Sequence, residues 1–105
     1  MKNYYPGILT MNELNQKINL VIQALASEQI KPTKIVAACK NFSGLDMTNF
    51  SKKKKNFVHQ HFGEINSITS QYNIKTEDDY KIIAEPDLDK ILKNIQQLCL
   101  KLLID

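Results

Sequence analysis

Two histidines, two cysteines and a run of four lysines are the residues here whose types and spacing suggest chemistry. His59-Gln60-His61 has the composition of a metal pair. On a helix, however, residues two apart point roughly 200° away from each other, whereas a shared zinc wants ligands at i and i+4 on one face. His61 and Glu64 have the gap of the Glu-x-x-His arrangement of di-metal bundles, but in reversed order. No Cys-x-x-Cys is present. Neither a metal site nor a cofactor is expected.

Cys39 and His61 are the one conceivable nucleophile and base. Both fall on faces expected to pack inward, where a cysteine behaves as an inert small hydrophobe. The chain has no glycine-rich phosphate loop and no Ser-centred elbow. Glu77, Asp78 and Asp79 suit a helix N-terminus, which accounts for them without catalysis. The expectation is a protein that is not an enzyme. His61 is expected at the core edge, satisfied by Glu64 or a backbone carbonyl, with His59 facing water.

Lys52 to Lys55 stand just before Phe57, Val58 and Phe62. Four consecutive helical residues wrap around roughly 300° of the helix, so the tetrad cannot form one stripe. Lys52 and Lys53 point away from the apolar arc and Lys55 sits just beyond its edge. Lys54 falls near the arc's centre, with its stem along apolar surface and its ammonium in water. Lys52, Lys53 and Lys55 are therefore the candidate polyanion contacts, giving salt-sensitive affinity for phosphates. The chain has no arginine, the usual source of bidentate guanine contacts. Sequence-specific DNA reading is accordingly disfavoured.

The elements that must position these residues follow from hydrophobic spacing. Residues 1–9 read as a lead-in arm with a Pro-Gly break. Thr10 and Glu13 then read as a capping box before Leu14, Ile18, Val21, Ile22 and Leu25, predicting a helix over 11–28. Pro32 opens a second helix over 32–42, closed by Ser43-Gly44. A third is predicted over 47–73, with Asp46 as N-cap, Leu45 and Phe50 as a hydrophobic staple and Asn73 as C-cap. The macrodipole argues for this early start, because it moves the lysines past a first turn where each would cost about 0.3–1 kcal/mol. Residues 76–84 suit either a short helix capped by Thr76 or an extended piece. A last helix over 87–104 carries Leu88, Ile91, Leu92, Ile95, Leu98, Cys99, Leu102 and Leu103 on one stripe.

The class is therefore all-α, a compact bundle of about four amphipathic helices forming a single domain over residues 1–105. Cysteines in separate apolar segments argue for a reducing, cytoplasmic setting rather than a disulfide framework. No run reaches the roughly 20 apolar residues needed to cross a membrane. Net charge is +3, divided unevenly: residues 1–56 hold nine lysines against three acids, and residues 57–105 five against eight. Tyr4, Tyr5, Leu20, Leu100 and Ile104 are apolar or aromatic residues that the main faces do not need. They are the candidate contacts for another protein or a second copy of the chain. The expected function is a small regulatory, inhibitory, immunity or adaptor protein acting by protein–protein interaction. The alternative is nucleic-acid association through the lysine end.

Overall fold

The computed structural model describes the backbone of residues 6–104 and the side chains of residues 13–103. It is an all-α bundle of α1 (Pro6–Ala26), α2 (Lys31–Phe42), α3 (Lys52–Gln71) and α4 (Glu85–Ile104), with a 3-10 helix, Glu77–Ile82, before α4. Tyr4 and Tyr5, and the side chain of Ile104, lie outside the described residues.

Several boundaries differ from the sequence reading, α3 closing at Gln71 rather than at residue 73 and α4 opening at Glu85 rather than at residue 87 among them, and those that move most do so for local reasons. α1 begins at Pro6, so Thr10 is a helical residue and not an N-cap, and residues 6–9 belong to the helix rather than to an arm. Proline is pre-organised for the first helical position, which outweighs the break suggested by Gly7. At its other end α1 stops at Ala26, where Ser27 turns back and donates its Oγ hydrogen to the Ala24 carbonyl at 2.7 Å. α3 begins five residues later than expected. Asp46 does not cap it: its Oδ1 accepts from the backbone N–H (2.9 Å) and Oγ1 (2.6 Å) of Thr48, a local turn that competes with helix. Ser51 is the cap, its Oγ accepting from the Lys54 N–H at 3.1 Å. Leu45, Met47 and Phe50 pack half-buried against the core from the non-helical linker, so no staple forms. Their burial and the Ser51 cap, worth about 1 kcal/mol, outweigh the dipole penalty that favoured an earlier start.

Residues 76–84 resolve as the 3-10 helix. The Asp79 carboxylate accepts from the N–H groups of Lys75 and Thr76, both at 2.9 Å. Those two bonds hold its pKa below the ordinary aspartate value. α3 ends with Asn73 in the left-handed region (φ 57), its N–H on the Ser70 carbonyl and that of Ile74 on the Thr69 carbonyl. That pairing is a Schellman closure, one step past the cap residue Tyr72.

Long-range contacts fix the topology. Lys31 reaches Glu85 and Asp89, each at 2.7 Å, so α2 and α4 start side by side and run parallel. The short Ser27–Ile30 turn makes α1 antiparallel to α2. Tyr72 donates to Asp87 (2.5 Å) near the start of α4, while Lys101 lies over the Phe57 ring (5.6 Å) near its end, so α3 is antiparallel to α4. The order is up-down-up-down, but not a square: α4 packs on all three partners, and α3 packs mainly on α4. Ile18, Val21, Ile35, Ile91, Ile95 and Leu98 are wholly buried at the junction. Leu103, assigned by its spacing to the buried stripe, is instead 45% exposed, and Ile22 is 38% exposed; both sit on the flank of their helix.

Gly63 lies inside α3 on its water-facing side, and a Cβ there would meet nothing within 4 Å. Gly63→Ala should stabilise the protein by about 0.5–1 kcal/mol, the helical cost of glycine's conformational freedom. Urea unfolding with unchanged slope would measure it; destabilisation would mean that α3 does not pass through residue 63 as a regular helix.

Candidate functional site

Because the cap is Ser51, Lys52 to Lys55 are the first turn of α3. The positive end of the helix dipole and four ammonium groups thus occupy the same place. The tetrad is splayed around the helix as the geometry of consecutive residues requires. Lys52 and Lys53 are exposed, and Lys55 is partly covered. Lys54 lies half-buried with Nζ 4.8 Å from the centre of the Phe50 ring, a cation–π contact. Among the described residues, ion pairs hold Lys31, Lys40 and Lys81, and none holds Lys52, Lys53, Lys54 or Lys55. The antiparallel packing of α3 on α4 brings Lys101 to the same end, together with Leu100 (54% exposed) and Leu103. This end of the bundle is a basic pole, while Leu103, two residues from Lys101, points to the other side of α4.

Leu20 is 48% exposed on α1. α1 ends beside the start of α4, so Leu20 and Leu100 stand at different levels of the bundle. The lysines, by contrast, stand just beyond Leu100, at the C-terminal end of α4. The polyanion candidates and one of the partner candidates thus lie towards the same end of the bundle, on different helices.

A second feature lies further along the seam between α3 and α4. It is an open groove of about 490 Å³ lined by His61, Glu64, Ser67 and Ile68 from α3 and by Lys90, Lys93, Asn94 and Gln97 from α4. Asn94 is 8% exposed and donates through Nδ2 to the Lys90 carbonyl at 2.9 Å. That bond leaves Oδ1 as the acceptor facing His61, so the imidazole donates through Nδ1, at 2.6 Å. The His61 ring also lies against Phe57, ring centres 4.4 Å apart and planes tilted by 53°. The partner expected from sequence, Glu64 or a backbone carbonyl, is replaced by Asn94. The signal for it was an asparagine interrupting the apolar stripe between Ile91 and Ile95. His59 is exposed. The two histidines do not converge, and among the described residues no group of three or more His, Cys, Asp or Glu side chains could hold a metal ion.

Both cysteines are free thiols. Burial pushes the Cys99 thiol up to about 11 and raises that of Cys39, so each stays protonated at neutral pH. Cys39 faces the 3-10 helix near Tyr80, and His61 is engaged with Asn94 across the α3–α4 seam. The imagined nucleophile and base thus belong to different packing interfaces. Among the described residues no helix is long and apolar enough to cross a membrane. Comparison of the chain with protein-family models, curated proteins and solved structures gives no match.

The crowding of like charge at the start of α3 has a measurable consequence. Lys53→Glu removes a repulsion and adds an attraction to the helix dipole, and should raise stability by about 0.5–1 kcal/mol at low salt. Chemical denaturation measures it, and an unchanged or lower midpoint would show that the lysine is already compensated.

Proposed function

We propose that this chain is a non-enzymatic binding module that meets an acidic protein surface at its basic pole. The observation that carries this reading is the set of four lysines in the first turn of α3, without ion pairs among the described residues. Exposed Leu100 and Leu103 stand at the same end. Like charges on a positive helix end are unfavourable in the isolated protein, and an acidic partner relieves them. Leucines at the same end of the bundle supply apolar area that phosphates would not use but an amphipathic protein surface would. Inhibitor, immunity, adaptor and self-association roles all fall within this class.

The second reading, association with nucleic acid, rests on the same lysines without the leucines. Salt separates the two. A protein partner captured from the source cell should be lost both by replacing Lys52 to Lys55 with glutamine and by Leu100→Ser with Leu103→Ser. Affinity for generic duplex or single strand should be weak and vanish between about 50 and 200 mM salt. Nucleic-acid binding that survives the leucine changes and exceeds any protein binding would replace the first reading by the second. A strict monomer that retains neither would overturn both.

A further inference from the structure

We infer, on the footing of the function proposed above, that the acidic surface met by the basic pole is the opposite end of a second copy of this chain. The two ends of the bundle differ in sign. Where α2 and α4 begin, Lys31 is held between Glu85 and Asp89, and that trio keeps one negative charge. Glu28, in the turn before α2, and Asp87 add two more, against Lys75 just past α3. At the other end of α4, about 30 Å along the helix, stand Lys52 to Lys55 and Lys101, against Asp46 in the linker.

Each end also carries exposed apolar side chains. Ile30 (59% exposed) directly precedes Lys31, and Ile82 (61% exposed) lies three residues before Glu85, so both belong to the acidic end. Ala84 and Pro86, between Ile82 and the body of α4, are exposed as well. Leu100 and Leu103 stand at the basic end. Charge decides how two copies pair. Like end on like end sets lysine against lysine. Head to tail sets lysines against carboxylates, and brings the leucine-bearing end of one copy to the isoleucine-bearing end of the next. Such a contact is not self-complementary. A pair still has one unused basic pole and one unused acidic end, so association grows with concentration instead of stopping at two.

Sedimentation of the full chain up to about 1 mM, at about 10 and 150 mM sodium chloride, is the test. At low salt the mean mass should rise with concentration to that of two chains or more, and at the higher salt fall back towards one. Replacing Lys52 to Lys55 with glutamine removes one surface; Glu28→Gln with Ile30→Ser and Ile82→Ser removes the other. The last three side chains are exposed, and serine suits the N-cap position of Ile30, so these changes do not threaten folding. Each variant alone should stay a single chain at low salt. An equal mixture should form pairs and go no further, because one complementary contact remains. The inference is overturned if the natural chain stays single at every concentration, if neither variant changes its association, or if the mixture forms no pairs. A single chain that still binds a different acidic protein through Lys52 to Lys55 overturns the inference and leaves the function proposed above standing; loss of that binding as well overturns both.

Discussion

One strip of α4 organises this protein. Leu88, Ile91, Asn94, Ile95, Leu98, Cys99 and Leu102 are buried over an arc of roughly 140°. Each large aliphatic side chain among them contributes about 1.5–3 kcal/mol by leaving water. An arc this wide exceeds what one neighbour can cover, so α1, α2 and α3 all lie against it. Ion pairs from Lys31 set the direction of α2. The Tyr72 hydroxyl sets that of α3, donating to Asp87 while accepting from the Ala84 N–H at 3.2 Å. Once α3 is antiparallel to α4, its first turn must stand beside the end of α4. The lysines stand at the same end of the bundle as Leu100 and Leu103 for that reason. The same register puts His61 opposite Asn94 and opens the groove below them.

Local preferences agree with the fold nearly everywhere. Ser51, Asn73, Gly44 and Asp79 each satisfy the helix end where they stand. The start of α3 is the exception, where helix polarity and side-chain charge oppose one another. Conflicts of this kind tend to survive where a surface serves something other than stability. A charge run that only keeps the protein in solution would serve as well at the C-terminal end of a helix, where it would also favour folding.

The class and the number of main helices were legible because each helix carries a strong 3.6-residue stripe, clearest in α4. The stop at Ser43-Gly44 was legible too, with Gly44 at φ 72. The start of α3 was not: Asp46 and Ser51 are equally good caps on paper. What separates them is the packing of Leu45, Met47 and Phe50 into the core from a linker, which no local pattern reveals. The dipole penalty on the lysines is real but too small to decide between them. Asn94 was missed for a related reason. Its partner is 33 residues away, and only the antiparallel register of α3 and α4 makes the pair. The pole was half visible: the lysines and Leu100 were both singled out, but their proximity depends on that register.

The central claim is that the basic pole is uncompensated in the free protein. It is tested most directly by the salt dependence of stability, comparing the natural chain with one carrying glutamine at positions 52 to 55. Raising sodium chloride from about 10 to 150 mM brings the screening length from roughly 30 Å to 8 Å. The natural chain should gain stability over that range relative to the glutamine variant, whose own response reports the remaining charges. Equal responses, or a relative loss in the natural chain, would mean that the lysines are already paired, and the proposed binding surface would lose its physical basis.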